Sequence, residues 1–269
     1  MNKVSVVIIS FNEEDNIGRC IESVRWVADE IVVLDSYSTD RTMAIARQKG
    51  ATVVQDHFNG YIQQKNKTFQ LTKFNYILSM DADEALSIEL ADAILEAKRH
   101  SGFKAFTMNR CNCFCGQFIR HGLWYPDRKL RLFDKRIAKW GGMNPHDKIV
   151  LLNNTPVKHL KGEILHYAFN SVAEYLERND IISSIAAQSL FTSGKKVPAI
   201  KILASPAWSF INGYFFRLGF LEGYYGLLIA FHTAKLSYLK YRKLLQLHKQ
   251  EPVLKTKHLP IQQPAKAAV

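Results

Sequence analysis

Short apolar runs alternate with helix-forming segments over the first hundred residues of the chain. The runs are residues 4–9, 31–34, 52–54 and 76–78. After the first run, apolar residues recur at spacings of three and four, which is typical of an amphipathic helix. Continuous apolar runs are typical of strands buried on both faces of a parallel sheet. The sequence therefore predicts an α/β fold, in which helices flank a mostly parallel sheet.

Clusters of mostly polar residues stand where three of these runs end, and they supply candidate ligand-binding groups. In chain order they are Phe11, Asn12, Glu13, Asp35, Asp81 and Asp83. Ligands of parallel α/β sheets bind outside the carboxyl ends of the strands, so these side chains are expected to share one site. Turn chemistry alone also favours Asp, Asn and Ser after a strand, and this alternative stays open.

Asp81 and Asp83 form an Asp-x-Asp pair directly after the fourth run. Two such carboxylates can converge on a divalent cation, and hard oxygen ligands suit Mg²⁺ or Mn²⁺. A metal there would neutralise charge on a departing diphosphate. The alternative is a polar turn without a ligand.

The sequence lacks a Gly-x-Gly-x-x-Gly fingerprint and a P-loop, so neither dinucleotide nor P-loop binding is indicated. Acidic groups suit hydrogen bonds to a base and a ribose better than direct phosphate contacts. Nucleotidyl transfer to a sugar phosphate is an alternative function. It is disfavoured, because residues 10–14 are not the Gly-rich, basic loop that this chemistry would place after the first strand.

Nearly all of the net charge of +12 lies in the C-terminal quarter, where residues 195–269 contain 12 Lys and Arg against 2 acidic residues. Aromatic residues crowd 208–221, and Lys and Arg join apolar residues over 224–247. This pattern predicts a helical element that lies on an anionic membrane surface. A helical hairpin packed on the main domain is the alternative. A basic module that binds membrane or nucleic acid without catalysis would leave the acidic strand ends unexplained, and no nucleic-acid partner is expected.

Three segments follow from these patterns. Residues 1–195 are predicted to form the main domain. Residues 196–249 are predicted to be the helical basic and aromatic appendage, and 250–269 a disordered tail. The four cysteines are expected to be structural thiols. No signal-peptide core and no long apolar span are found, which predicts a cytosolic protein.

Three motifs of the first 110 residues resemble family 2 glycosyltransferases. They are residues 5–14 (SVVIISFNEE), 33–42 (VLDSYSTDRT) and 80–84 (MDADE). Residues 125–133 (YPDRKLRLF) and 144–148 (NPHDK) further resemble the bacterial branch that glucosylates the lipopolysaccharide inner core. The resemblance implies the GT-A fold, with a donor half over 1–110 and an acceptor half over 111–195 of the main domain. It also implies a nucleotide-sugar donor and inversion of the anomeric centre. It makes UDP-glucose and a heptose of a phosphorylated glycolipid the expected substrates, at the cytoplasmic face of the inner membrane.

The resemblance also implies roles for single residues. Phe11, Asn12, Glu13 and Asp35 should hold the base and ribose, and the basic residue near the donor is Lys65. Asp81 should lie near the ribose and Asp83 should bind the metal. The branch often has Glu at the position of Asp147.

Inverting transfer needs a general base for the acceptor hydroxyl. Asp147, which follows a predicted loop at Gly141 and Gly142, is expected to be this base, with a carboxylate free of strong ion pairing. Asp127 is the alternative, but it stands among cations that would weaken it as a base. Those cations, Arg128, Lys129 and Arg131, could bind the diphosphate or acceptor phosphates, or could simply be solvated. His166 is expected to be a structural histidine, and the alternative is that it lines the site.

Overall fold

A computed structural model describes residues 2–100, 102–143, 146–152 and 154–257 of the chain. Within these ranges the chain forms two compact units. The N-terminal unit contains residues up to 120 together with 124–170, and the C-terminal unit contains 121–123 and the residues from 171 onward. The division at 170 differs from the boundary expected at 195, because the helix after 170 packs with the later helices.

Eleven strands and four helices build the described part of the N-terminal unit. The strands are β1 Val4–Ser10, β2 Glu30–Asp35, β3 Thr52–Gln55, β4 Tyr76–Asp81, β5 Glu84–Leu86, β6 Ala105–Phe114, β7 Gln117–Ile119, β8 Asp127–Asp134, β9 Ala138–Met143, β10 His146–Leu151 and β11 Val157–Phe169. The helices are α1 Ile17–Val24, α2 Thr42–Gln48, α3 Tyr61–Thr68 and α4 Ile88–His100.

The main sheet has the strand order β3-β2-β1-β4-β8-β6-β11-β5, with β7 paired to β6. Strands β1 to β4 are parallel, which confirms the predicted parallel sheet. Strand β8 runs antiparallel to both β4 and β6, so it joins the parallel half to a mixed half of the sheet. Strands β9 and β10 pair as a separate antiparallel ribbon. Gly141 and Gly142, which the sequence analysis placed in a loop, lie in β9.

Apolar side chains from the central strands and from α1 and α4 form the main core. Ile17, Cys20, Ile21 and Val24 line the buried face of α1, as their spacing predicted. Each large side chain that is fully buried contributes about 1.5–3 kcal/mol of transfer free energy. Helix α4 lies so close to β11 that a Cβ at Gly162 would come within 2.3 Å of the Leu90 backbone nitrogen. This contact, together with a φ of +86°, requires glycine there.

Helices α5 Val172–Thr192, α6 Lys201–Ile211 and α7 Gly223–Lys257 form the described C-terminal unit. A π-helical turn, Asn212–Phe216, and a 3-10 turn, Gly219–Glu222, connect α6 to α7. At the start of α5, the Ser171 hydroxyl accepts a hydrogen bond from the Glu174 backbone nitrogen. The disordered tail expected from residue 250 is wrong in its first part, because α7 continues to Lys257. The rest of that tail, 258–269, lies outside the described residues.

None of the helices in the described ranges combines the length and the apolar character needed to cross a membrane.

Candidate active site

The carboxyl ends of β1, β2 and β4 meet at one edge of the sheet. Ser10 is in register with Asp35 on β2, and Ile9 is in register with Asp81 on β4. Parallel pairing therefore brings together residues that are far apart in sequence. This is the edge where open α/β sheets bind their ligands.

Asp35 organises the turn that follows β2. Its carboxylate is buried and accepts hydrogen bonds from the Ser10 hydroxyl at 2.9 Å and from the Ser38 backbone nitrogen at 2.8 Å. These bonds hold Tyr37 in a left-handed conformation with φ of 63°, where its exposed ring stacks on His57 at 4.5 Å. Asp35 was expected to contact the ligand directly. In the structure its side chain has no exposed surface and instead holds the turn in shape.

The loop after β1 is fastened to the loop after β2. The Asn12 backbone nitrogen donates to the Ser38 hydroxyl at 2.9 Å, and the Asn12 side-chain oxygen accepts from the Thr39 backbone nitrogen at 2.8 Å. The Glu13 backbone nitrogen donates to the Thr42 hydroxyl at 2.7 Å. These bonds leave the ring of Phe11 exposed at the rim of the site, so it can pack against a planar ligand group.

Asp81 is held between two cations. Its carboxylate lies 3.0 Å from the Lys65 ammonium group and 2.8 Å from the Arg131 guanidinium group. Burial opposes ionisation of Asp81, but the charges of Arg131 and Lys65 outweigh it and hold the pKa of Asp81 well below its usual range. Asp81 is therefore an ionised carboxylate held in one position, and the positive charges of Lys65 and Arg131 balance its negative charge.

Arg131 was expected to meet diphosphate or acceptor phosphates. In the structure its side chain is only 4% exposed, and its guanidinium donates to both Asp81 and Glu84 at 2.8 Å. Its pKa is raised well above the usual value, because the carboxylates of Asp81 and Glu84 outweigh the effect of burial. Arg131 therefore holds the carboxylates of Asp81 and Glu84 in position.

Of the other two cations expected to bind phosphate, Arg128 has an exposed side chain on β8. Lys129 lies 2.9 Å from Asp127, and Asp127 also pairs with Arg110 at 2.9 Å. Asp127 is thus ion-paired, as its neighbours in sequence indicated.

Asp147 is also ion-paired, contrary to the expectation of a free carboxylate. It accepts a hydrogen bond from Lys65 at 2.9 Å, and Lys65 in turn contacts Asp81. The ammonium group of Lys65 lies over the ring of Trp140, 4.5 Å from its centroid. Asn66, the next residue of α3, makes two hydrogen bonds to the Trp140 backbone, at 3.0 and 2.9 Å, which fix this helix against β9. Lys65 therefore joins the strand-end acid Asp81 to Asp147.

His166 on β11 reaches Asp83, which favours the alternative that it lines the site over the expected structural role. Its Nε2 lies 3.1 Å from the Asp83 carboxylate, and its Nδ1 contacts the side-chain oxygen of Asn112 at 2.6 Å. In the neutral tautomer that carries its proton on Nδ1, this N–H donates to Asn112, and the lone pair of Nε2 then points at the Asp83 carboxylate. Two acceptors this close are stabilised by a cation beside both or by protonation of the ring.

This pair fits a divalent metal, because a carboxylate oxygen and an imidazole nitrogen both suit Mn²⁺. In the described part of the chain, no cluster of three or more His, Cys, Asp or Glu side chains is arranged to hold a metal ion. Asp83 and His166 would therefore supply two ligands, and phosphate oxygens and water would complete the shell, as is common for Mg²⁺. The pairing of β11 with β5 places His166 opposite Glu84, and no local sequence signal indicates that pairing.

Glu84, like Asp35, is a fully buried acid of the site, and we expect Glu84→Gln to lower the free energy of unfolding by about 3–5 kcal/mol. Its side chain has no exposed surface, contacts Arg131 at 2.8 Å, and accepts a hydrogen bond from the Asp81 backbone nitrogen at 3.0 Å. Loss of this charge leaves the buried Arg131 with one carboxylate instead of two. Urea denaturation measures the effect. Glu89→Gln, at an exposed position on α4, is the matched control, and a Glu84→Gln loss below about 1 kcal/mol would contradict this account.

The fold and the site together define an α/β protein whose ligand edge carries fixed acids, paired cations and a candidate metal pair. Residues 5–159 match the sequence profile described as Glycosyl transferase family 2. The chain belongs to glycosyl transferase family 2.

Relatives in bacteria are similar along most of the chain. An uncharacterized glycosyltransferase of Rickettsia typhi is 30% identical over 92% of this chain and 88% of its own length. The lipopolysaccharide core biosynthesis glycosyltransferase LpsC of Rhizobium meliloti is 27% identical over 88% of this chain and 93% of its own length.

Among solved structures, the chain is similar to glucosyl-3-phosphoglycerate synthase from Mycobacterium tuberculosis in complex with Mn²⁺ and UDP. The identity is 24%, the TM-score is 0.36, and the match covers 40% of this chain and 43% of the other. A similarity of this extent concerns the fold alone.

Proposed function

We propose that this family 2 glycosyltransferase is a metal-dependent, inverting hexosyltransferase. It transfers glucose from UDP-glucose to a heptose of a lipid-linked, phosphorylated inner-core saccharide. The observation that carries the proposal is the pair of Asp83 and His166 beside the fixed anion Asp81, at the carboxyl edge of the parallel strands. The motifs of residues 125–133 and 144–148 and the similarity to a lipopolysaccharide core glycosyltransferase support the acceptor class.

The donor is proposed to bind at the loops after β1 and β2. Phe11 offers an exposed ring to the base, while Asn12 and Glu13 belong to the loop that closes over the ribose. Asp35 contributes by holding the turn of Ser38 and Tyr37 in place, since its own carboxylate is buried. Base recognition by this edge therefore depends on a turn that is preorganised before the donor arrives.

Asp83 and His166 are proposed to hold Mg²⁺ or Mn²⁺. The bound metal would neutralise the charge that develops on the leaving diphosphate. Asn112 orients His166 through the Nδ1 contact, so that Nε2 faces the metal position. Asp81 is neutralised by Lys65 and Arg131 and is proposed to lie near the ribose.

Asp147 is proposed to take the proton from the acceptor hydroxyl. Its carboxylate is engaged by the Lys65 ammonium group at 2.9 Å. A donor diphosphate carries more negative charge than one carboxylate and would compete for Lys65. Donor binding would thus release Asp147 for the acceptor. Arg128 and Lys129 are proposed to contact acceptor phosphates, and a lipid-linked acceptor places the enzyme at the cytoplasmic face of the inner membrane.

Transfer assays with purified protein test this function. Radiolabelled UDP-glucose, UDP-galactose and GDP-mannose are each offered with Mn²⁺ and with a heptose-terminated core glycolipid as acceptor. We expect label in the glycolipid from UDP-glucose only, loss of transfer in EDTA, and a β-linkage in the product by NMR. Transfer from another donor would contradict the donor assignment, and undiminished transfer in EDTA would contradict the metal.

A further inference from the structure

The turns between α6 and α7 carry an exposed apolar surface. Nine large side chains of this segment are at least 41% exposed, and we call them the aromatic crest: Trp208, Ile211, Phe215, Phe216, Leu218, Phe220, Leu221, Tyr224 and Leu227. Several of the rings in this segment contact one another, such as Trp208 and Phe216 at 5.9 Å between centroids. Contiguous apolar surface of this kind marks an interaction site in a soluble protein.

A groove lies beside the crest, between α6 and α7. It has a volume of about 490 Å³ and an almost entirely apolar lining, which includes Leu203, Pro206, Phe210, Phe231 and Tyr238. Lys235 is the one charged residue among those that line the groove. The groove therefore suits a hydrocarbon chain with an anionic group at one end.

The charge on α6, α7 and the turns between them is mostly positive, although Lys243 pairs with Asp180 of α5 at 2.7 Å. Residues 195–249 contain nine Lys and Arg and a single acid, Glu222. Glu222 is buried and pairs with His121 at 2.7 Å, so it does not balance the exposed cations. Lys201 and Lys235 are both exposed, on α6 and α7 respectively. An anionic partner is needed to complement this surface.

A lipid leaflet combines an apolar interior, which suits the aromatic crest, with anionic headgroups, which suit the exposed cations. Aromatic side chains favour the boundary between headgroups and acyl chains, and Lys and Arg favour anionic headgroups. No helix of the described ranges could span a bilayer, and an interfacial element requires none. A protein partner or a second copy would match the apolar crest but would not by itself account for the excess of exposed cations.

We propose that the aromatic crest and the α6–α7 groove form a docking site for an anionic phospholipid leaflet. The crest enters the interface, one acyl chain occupies the groove, and Lys201 and Lys235 meet the headgroup phosphates. This docking site specifies how the protein would reach the membrane location proposed above, and it rests on that proposed function. Its test uses binding alone, with no donor, metal or acceptor, so that failure of docking and failure of the transfer function give separate results.

Co-sedimentation with unilamellar vesicles tests the docking. We expect the full chain to bind vesicles of phosphatidylcholine with 30% phosphatidylglycerol and to lose most of that binding in 0.5 M NaCl or on pure phosphatidylcholine. Lys201→Glu and Lys235→Glu should each weaken binding by about fivefold or more. Arg25→Glu, at an exposed position of the N-terminal unit, is the matched control and should change binding less than twofold.

Leu203→Glu and Phe231→Glu test the groove. Both side chains are exposed, so the substitutions should leave the fold intact, which circular dichroism and the urea midpoint check. We expect each to reduce vesicle binding at least tenfold. Trp26→Glu is the matched control, because Trp26 is 79% exposed but lies in the N-terminal unit. Equal binding by the groove variants and the control would overturn the acyl-chain site.

Brominated phospholipids give an independent readout of insertion. Trp208 fluorescence should be quenched by bromine on the acyl chains, and the quenching should disappear in Trp208→Phe. Quenching that persists unchanged in Trp208→Phe would overturn insertion of the crest. A concentration-dependent dimer by light scattering, combined with no vesicle binding, would assign the surface to a second copy instead and overturn the proposal.

Discussion

Asp147→Asn should lower the rate of sugar transfer by about 10²–10⁴-fold, the usual loss when a general base is removed. Asparagine has nearly the same size and can still accept a hydrogen bond from Lys65, so the positions of Lys65 and Asp81 should persist. The amide cannot take the proton of the acceptor hydroxyl. Single-turnover transfer measures the loss. UDP affinity by calorimetry should not weaken, since nucleotide binding does not need the base and the Asp147 charge no longer competes for Lys65.

Asp127→Asn is the matched control for Asp147→Asn. Asp127 is an equivalent carboxylate with two cationic partners, Arg110 and Lys129. Because it is committed to those pairs, its amide variant should keep transfer within a few-fold of the unchanged rate. Normal transfer by Asp147→Asn together with an inactive Asp127→Asn would assign the base to Asp127.

Asp83→Asn should remove metal-dependent transfer, with a loss of at least about 10³-fold, because the variant replaces the one carboxylate of the candidate metal pair. The metal supplies several kcal/mol of charge stabilisation when diphosphate leaves. The direct readout is Mn²⁺ affinity in the presence of UDP, followed by electron paramagnetic resonance. It should weaken at least tenfold in Asp83→Asn and in His166→Ala.

Coupling between the effects of substitutions at Asp83 and His166 on Mn²⁺ affinity provides a more direct test of the metal pair. Asp83 and His166 are 3.1 Å apart, so ligands of one metal should give strongly non-additive losses in the double variant. Asp92→Asn, at an exposed position on α4, serves as the control and should bind Mn²⁺ normally. Full Mn²⁺ affinity in Asp83→Asn would remove this residue from the metal site.

The parallel half of the sheet could be predicted from the sequence because its signals are local. A continuous apolar run must be covered on both faces, and the polar residues that end it must then lie at the carboxyl edge. Residues 4–9, 31–34 and 76–78 therefore located β1, β2 and β4 to within one to three residues at either end. The positions of Asp35, Asp81 and Asp83 followed from the strands that precede them.

Contacts between distant residues were decided only by the tertiary structure. Lys65 and Asp147 are 82 positions apart, and Asp83 and His166 are 83 apart. The first pair depends on the separate ribbon of β9 and β10, and the second on β11 in the mixed half of the main sheet. Neither arrangement follows a repeating pattern in the chain. The sequence analysis consequently expected a free Asp147, a structural His166 and a phosphate-binding Arg131.

Burial separates residues that look alike in the sequence. Asp35 and Asp83 both follow apolar strands, yet Asp35 is enclosed by Ser10 and Ser38 while Asp83 faces His166. The division at residue 170 has the same origin, because it follows from the packing of α5 on α7. Local sequence determines which helices and strands form and which side chains lie at their ends. Packing among those elements decides which charges meet, since the energy of an ion pair depends on a separation that only the folded chain defines.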